Sequence, residues 1–161
     1  QPGRRLRGER ERPVGVDELL DDVVDGVRLA VDDAGQTIEM VGERGLNVTG
    51  DRRLVRQALV NLVDNALKYG GARQVIRLRA ERCGERVRIS VEDDGPGVPE
   101  PERKRVFEPY TRLPQDQVSE RTGTGLGLAV VRRITEACGG RVWIEDGTPR
   151  GARVVMELRS T

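Results

Sequence analysis

The hydrophobic pattern of this chain changes period several times, and this change is the feature that most constrains the fold. Apolar residues recur at helical spacing in three segments, at about residues 17–35, 52–69 and 126–138. Asp17 is suited to cap the first predicted helix, and Gly35 is suited to end it. Glycine pairs end the other two helices, Gly70 with Gly71 and Gly139 with Gly140.

Short segments of β type lie between and after these helices. We predict strands at residues 37–41, 46–49, 74–81, 86–92, 141–145 and 153–158. The tripeptide Cys83-Gly84-Glu85 predicts a hairpin turn between two of them. Because helices and hairpins mix without regular strand–helix alternation, the pattern favours an α+β two-layer sandwich over a doubly wound sheet.

Length and composition indicate one globular domain and exclude several kinds of chemistry. The chain has 161 residues, with 28 basic and 27 acidic residues and 2% aromatics, which argues against nucleic-acid binding. We interpret residues 1–12 as a charged linker stub and residues 13–161 as the domain. Two distant cysteines and no histidine give no support for a zinc site, and no apolar run approaches the ~20 residues that span a bilayer.

The second predicted helix carries amide, ammonium and phenol groups on one side. Its apolar stripe consists of Val55, Leu59, Leu62 and Ala66. Another side carries Asn61, Asn65, Lys68 and Tyr69, at i, i+4, i+7 and i+8. Asparagine is a middling helix former, and capping does not explain either position. Two interpretations stay open: a solvated face, or a site in which an amide oxygen binds Mg²⁺, the lysine binds phosphate and the ring contacts a base.

A carboxylate extends the inward-facing row of the fourth predicted strand. Val87, Ile89 and Val91 share one face, and Asp93 is next in the same register. An unpaired carboxylate there would cost several kcal/mol, so we expect a partner, and Gly95-Pro96-Gly97 makes a turn that leaves space beside it. The amine of adenine would donate to Asp93, whereas guanine presents a carbonyl oxygen. The alternative is an ordinary aspartate at a strand-to-turn junction.

A glycine-rich loop leads into the third predicted helix. The sequence TGTGLGL at residues 122–128 places backbone amides and a positive helix end where an anion can bind. It is not a P-loop, because no Gly-Lys-Ser/Thr follows. The irregular, mostly polar chain before it, residues 98–124, is typical of a functional lid.

Four segments in order resemble the conserved boxes of sensor histidine kinases. They are NLVDNALKYG at 61–70, DDGPG at 93–97, FEPYTR at 107–112 and GTGLGL at 123–128. The resemblance covers roughly residues 13–159 and implies the Bergerat ATP-binding fold, with three main helices on a mixed, mostly antiparallel sheet. That fold is shared with gyrase-type and heat-shock chaperone ATPases. Two departures from the family pattern are Tyr110, where phenylalanine is common, and Ala152, where threonine is frequent.

The resemblance implies ATP and Mg²⁺ as cofactors and assigns roles residue by residue. Asn65 would be the metal ligand, and Asn61 and Arg112 would be catalytic, with Arg112 near the γ-phosphate. Asn61 and Lys68 would contact phosphates, Tyr69 would lie against adenine, and Asp93 would accept from its amine. The full set of implied nucleotide-binding residues is Asn61, Asn65, Lys68, Tyr69, Asp93, Gly95, Gly97, Val98, Arg112, Gly123, Thr124, Gly125, Leu126 and Gly127.

Asn61 bears on the choice between kinase and ATPase. Hydrolysing relatives of the implied fold have a glutamate one helical turn before the metal-binding asparagine, and an amide cannot act as that base. The expected function is therefore transfer of the γ-phosphate of Mg-ATP to a histidine. The alternatives are an anti-sigma-type serine kinase that acts as a switch protein, and a non-catalytic module that senses ATP.

The resemblance also implies partners and a location. The expected partner is a histidine-bearing dimerisation domain of the same parent protein, and indirectly a response regulator. The fragment alone would be monomeric and the parent a homodimer. The expected location is the cytoplasmic side of a membrane-anchored bacterial sensor.

Overall fold

Three α-helices and seven strands make up the part of the chain that the structure describes. The structure is a computed structural model, and it describes residues 12–109 and 127–161. The helices are α1 (Val16–Asp33), α2 (Arg52–Tyr69) and α3 (Gly127–Ala137). The strands are β1 (Arg12–Gly15), β2 (Thr37–Gly42), β3 (Asn47–Gly50), β4 (Val75–Cys83), β5 (Arg86–Glu92), β6 (Arg141–Asp146) and β7 (Ala152–Arg159). Two 3-10 turns span Glu100–Glu102 and Arg105–Phe107.

Five of the strands form one sheet in the order β2-β4-β5-β7-β6. β2 runs parallel to β4, and the other neighbouring pairs are antiparallel. The predicted hairpin joins β4 to β5, and Gly84 in its turn has a φ of 63°. The predicted mixed, mostly antiparallel sheet of an α+β sandwich is confirmed.

The helices cover one face of this sheet. The inward row of β5, Val87, Ile89 and Val91, is buried opposite Leu158, Met156 and Val154 of β7. The predicted apolar stripe of α2 is buried on the same core, with Val55, Leu59, Leu62 and Ala66 at most 3% exposed. Burial of these aliphatic side chains thus holds α2 against the inward face of β5.

Local signals explain where α2 begins and ends. The Asp51 side chain accepts hydrogen bonds from the amides of Arg53 (3.0 Å) and Leu54 (3.3 Å), which satisfies two free donors of the first turn. At the other end, the Gly70 amide donates to the Ala66 carbonyl at 2.9 Å. The predicted bounds of this helix, residues 52–69, are confirmed.

The predicted cap of α1 is wrong. The helix begins at Val16, and Gly15 occupies the capping position without a side-chain bond. Asp17 instead lies in the first turn, where its carboxylate accepts from the Gly45 amide at 2.9 Å. A backbone amide of the loop after β2 therefore binds the carboxylate that would otherwise cap the helix.

A strand that the sequence pattern did not predict precedes α1. β1 pairs antiparallel with β3, and Arg12, at the end of the predicted stub, lies opposite Gly50. Pro13 is tolerated because a two-stranded sheet leaves each strand one unpaired edge. No helix in residues 12–109 or 127–161 is both long and apolar enough to cross a membrane.

Candidate nucleotide site

One side of α2 presents the predicted polar groups next to the core. Asn61, Asn65, Lys68 and Tyr69 are all half-buried, so each contacts the protein and still has surface for a ligand. The Lys68 ammonium lies 3.0 Å from the Asp64 carboxylate one turn earlier. Both side chains are more than a third exposed, so this ion pair is weak and the ammonium can exchange the carboxylate for a phosphate.

The end of α2 lies directly against the turn that follows β5. A Cβ added to Gly95 would come within 2.5 Å of the Tyr69 carbonyl oxygen and 3.1 Å of the Asp93 carboxylate. Only glycine allows this approach of the two backbones. The structure thus brings the Tyr69 end of the asparagine helix next to the aspartate that the sequence placed at the end of a buried row.

Asp93 is the buried acid of this site. Its side chain is 8% exposed, and its Oδ1 atom accepts hydrogen bonds from the amides of Gly95 (2.9 Å) and Ala152 (3.3 Å). Burial raises the pKa of Asp93, although the two amide bonds work in the opposite direction. Among the described residues both bonds end on Oδ1, which leaves Oδ2 as an acceptor for a ligand.

The turn after Asp93 depends on two backbone conformations that favour glycine. Gly97 has a φ of 79°, and a Cβ there would be 3.1 Å from the Gly151 carbonyl oxygen. Gly151 has a φ of 93° and packs directly on the Asp93 carbonyl. Val98 is half-buried against the core, and its carbonyl accepts from Arg103 Nε at 2.9 Å.

The loop before β7 completes the base of the site through its backbone. The Asp93 amide donates to the Ala152 carbonyl at 2.9 Å, and the Ala152 amide donates back to the Asp93 side chain. Ala152 is 6% exposed. The backbone of this position orients Asp93, although alanine lacks the hydroxyl that threonine would supply.

Gln74 is a residue of this region that the sequence analysis missed. It is 3% exposed, and its Nε2 donates to the Ala66 carbonyl (2.7 Å) and to Gln36 Oε1 (2.8 Å). Its Oε1 accepts from the Asp94 amide at 3.0 Å. A Cβ on Gly70 would collide with this side chain, so the glycine after α2 also makes room for it. One buried amide therefore connects the last turn of α2 to the segment that carries Asp93.

The remaining predicted residues lie mostly outside the described part of the chain. Gly127 is described, and it is the exposed first residue of α3. The predicted lid is described only over residues 98–109, in which the second 3-10 turn buries Val106 and Phe107. The residues that lie outside are Arg112, Gly123, Thr124, Gly125 and Leu126.

The donor set on α2 fits Mg²⁺ held jointly with a nucleotide. In residues 12–109 and 127–161 no group of three histidine, cysteine or acidic side chains could hold a metal ion. Asn65 supplies one half-buried amide oxygen. Mg²⁺ commonly takes one or two protein oxygens and completes its shell with water and substrate phosphates, so a single amide is compatible with metal that arrives with ATP.

The chain belongs to the family described as histidine kinase-, DNA gyrase B-, and HSP90-like ATPases, which matches residues 50–161. Its relatives are sensor histidine kinases. It is 46% identical over 107 residues to the adaptive-response sensory kinase SasA of Parasynechococcus marenigrum (strain WH8102), which covers 65% of this chain and 27% of that protein. The chain thus spans about a quarter of the length of the curated relatives it matches first.

Solved structures of histidine kinases share this fold. Full-length ShkA in complex with AMPPNP has a TM-score of 0.80 at 31% identity, over 94% of this chain and 31% of that one. Histidine kinase ThkA in complex with the response regulator protein TrrA has a TM-score of 0.77 at 26% identity, over 94% of this chain and 42% of that one. The predicted Bergerat-type fold is confirmed by these likenesses.

Proposed function

We propose that this domain binds Mg-ATP between α2 and the turn after β5 and donates the γ-phosphate to a histidine on a separate domain. The observation that carries the proposal is the Asp93 carboxylate, which is buried beside the end of α2 with one oxygen not used by the described backbone. A buried acceptor of this kind selects a ligand with a donor at that point. The structure of full-length ShkA, which includes this fold and is a complex with AMPPNP, supports an adenine nucleotide.

The side chains of α2 have distinct tasks in this proposal. Asn65 holds the metal, which supplies charge neutralisation to the phosphates when it is bound. Asn61 and Lys68 contact the phosphate chain, and Tyr69 lies against the base at the end of the helix. Since Asn61 is an amide and not a carboxylate, it cannot take a proton from water, and the nucleotide persists until an acceptor arrives.

Residues beyond the described part of the chain complete the proposed site. Arg112 approaches the γ-phosphate, and the amides of Gly123, Thr124, Gly125, Leu126 and Gly127 contact the phosphates. Val98, with Gly95 and Gly97, lines the adenine side. These assignments rest on the family boxes and on the position of the described residues on either side of them.

The partner in this proposal is a histidine-bearing dimerisation domain of the parent protein, on the cytoplasmic side of a membrane-anchored sensor. The short share of each curated relative that this chain covers is consistent with further domains in such proteins. The ThkA complex with TrrA supports a response regulator as the downstream recipient.

Titration calorimetry of Asn65→Ala tests the nucleotide half of the proposal. Removal of the amide should weaken Mg-ATP binding by about 1–3 kcal/mol, because the metal loses its protein ligand, while metal-free ATP should bind both proteins alike. Gln57→Ala, on the exposed side of the same helix, is the matched control. Equal Mg-ATP affinity for Asn65→Ala and wild type would refute the assignment.

A further inference from the structure

A second cleft lies beside the nucleotide site, at the start of β4. It has a volume of about 350 Å³, and its lining includes Arg73, Arg77, Asp94 and Arg150. Asp93 continues the inward row of β5, whereas Asp94 forms an ion pair with Arg77. The register partners of Arg77 are Glu92 and Glu39, so Arg77 lies on the opposite, outer face of the sheet. The two adjacent aspartates after β5 therefore make their contacts on opposite faces of the sheet.

The guanidinium groups of this cleft outnumber its carboxylates. Arg77 reaches Asp94 and Glu39 only at 3.8 Å, longer than the 2.7–2.9 Å typical of charge-assisted bonds. Arg150 uses its Nε to donate to the Asp94 carbonyl at 2.9 Å, a neutral acceptor. In the described part of the chain Arg73 makes no ion pair with a carboxylate. The cleft therefore has a net positive charge, and its guanidinium groups have N–H donors that are available to a ligand.

The backbone of Arg73, an exposed residue of the cleft lining, has a conformation that is costly for a non-glycine residue. Its φ is 58°, and it is the one non-glycine residue with a positive φ in residues 12–109 and 127–161. A long side chain in the left-handed region is strained, and glycine would relieve that strain. The turn from Gly71 to Gln74 fixes this geometry, since the Gln74 amide donates to the Gly71 carbonyl at 3.3 Å.

We propose that this cleft is a second anion site, which binds the dianionic phosphate group of a small molecule through Arg73, Arg77 and Arg150. Guanidinium forks match the oxygens of a phosphate, and three of them around one carboxylate leave a net positive charge for it to neutralise. The Asp94 carboxylate competes with the ligand for Arg77. The site goes beyond the proposed kinase function, and it is separate from the nucleotide position.

The test is amide and arginine side-chain NMR of the whole 161-residue chain in low-salt buffer, with the domain saturated with AMPPNP. Inorganic phosphate and glycerol phosphate are titrated separately at constant ionic strength, because surface charge interactions are screened by salt. Phosphate should shift the resonances of residues 71–77 and 150 even with AMPPNP bound. Tighter binding of glycerol phosphate would indicate an organic ligand, and tighter binding of inorganic phosphate would indicate the free ion.

Variants that remove a positive charge and a variant that removes a negative charge should change phosphate binding in opposite directions. Arg77→Gln and Arg150→Gln should each weaken phosphate binding roughly two- to fivefold, and Asp94→Asn should tighten it by a similar factor. Arg73→Gly should weaken binding without lowering the melting temperature, since it removes a charge and relieves strain. Arg28→Gln, on the exposed side of α1, is the control and should change nothing.

Two results would overturn the second site. One is the absence of any saturable shift at residues 71–77. The other is a phosphate response confined to residues 61–69 and abolished by AMPPNP, which would place the anion in the nucleotide site. A failure of AMPPNP to bind would count against the proposed kinase function, and the phosphate titration of the nucleotide-free chain would still decide this proposal.

Discussion

At the residue scale, Asp93 combines an energetic cost to the fold with the role in adenine recognition that we propose for it. Its carboxylate is buried, and within residues 12–109 and 127–161 its two hydrogen bonds, both from backbone amides, are accepted by Oδ1. Burial raises its pKa, so the ionised form is disfavoured in the folded state relative to the unfolded chain. In the proposed site, a ligand that donates to Oδ2 offsets this cost.

At the residue scale, Asp93→Asn should separate stability from binding. We expect ATP affinity to fall by about 1–3 kcal/mol, with loss of the preference for ATP over GTP, because the acceptor of the adenine amine is weakened. The unfolding free energy at pH 7 should be equal to or above that of the wild type. Calorimetry with both nucleotides and urea unfolding measure the two effects.

The pH dependence of this variant follows from the raised pKa. Ionisation of Asp93 costs the wild type stability above its raised folded-state pKa, and that cost disappears as the pH falls towards the ordinary carboxyl value of about 3.9. The stability advantage of Asp93→Asn over wild type should therefore shrink on acidification.

Asp94→Asn is the control for these measurements and should retain ATP affinity. A parallel loss of stability and binding in Asp93→Asn would show that the acid is structural.

At the element scale, the end of α2 and the end of β5 are joined by Gln74. The helix, its stripe and its ends could be predicted because Asp51, the apolar spacing and Gly70 are local signals. Gln74 could not, because two of its three partners, Gln36 and Asp94, lie 38 and 20 residues away in the sequence and a buried amide has no periodic signature. β1 was missed for a similar reason: it is short, begins at Arg12 and Pro13, and forms only by pairing with β3.

Gln74→Ala should loosen this junction. We expect the unfolding free energy to fall by about 1–3 kcal/mol, since the half-buried Asp94 amide loses its acceptor and the buried Ala66 carbonyl loses a donor. ATP affinity should fall as well, because α2 and the segment that carries Asp93 lose a common support. Gln57→Ala removes an amide from an exposed position of α2 and serves as the control. If denaturant unfolding shows the same change for both variants, Gln74 does not hold the junction.

The outer face of the sheet contains a second junction, between β5, β6 and β7. Glu157 is 5% exposed and accepts from Arg88 (2.9 Å) and Arg141 (3.0 Å), while both guanidinium groups lie about 5 Å from the ring of Trp143. Burial alone would raise the pKa of Glu157, but the hydrogen bonds and charges of the two arginines outweigh it and lower the pKa. This cluster stabilises the sheet edge away from the site.

Glu157→Gln should weaken the sheet in a pH-dependent way. Breaking a fully buried pair costs 3–5 kcal/mol, but Arg88 and Arg141 are 36% and 70% exposed, so we expect about 1–2 kcal/mol at pH 7. The difference from wild type should be lost as the pH falls below the ordinary glutamate value of about 4.3 and through the lowered folded-state value. Glu85→Gln, in the exposed hairpin turn, is the control. A gap that is unchanged at low pH would contradict the charge-based account.

At the scale of the whole molecule, the proposed function makes this domain one half of a phosphoryl-transfer reaction. The chain contains no histidine, so the proposed transfer to a histidine requires an acceptor outside these 161 residues. Transfer requires the acceptor nitrogen in line with the γ-phosphate while the metal and cationic groups neutralise the developing charge. Asp93 and Asn65, the proposed adenine acceptor and the proposed metal ligand, lie on the segment after β5 and on α2, which Gln74 connects.

Phosphotransfer to a separate histidine domain is the decisive measurement for the proposed kinase function. The chain is mixed with the histidine-bearing dimerisation domain of its parent, Mg²⁺ and ATP labelled at the γ-phosphate, with Asn65→Ala as the inactive control. We expect slow labelling of the added domain, because the effective concentration given by a covalent linker is absent. The label should be acid-labile and alkali-stable. Acid-stable phosphoserine, or labelling that Asn65→Ala leaves unchanged, would contradict it.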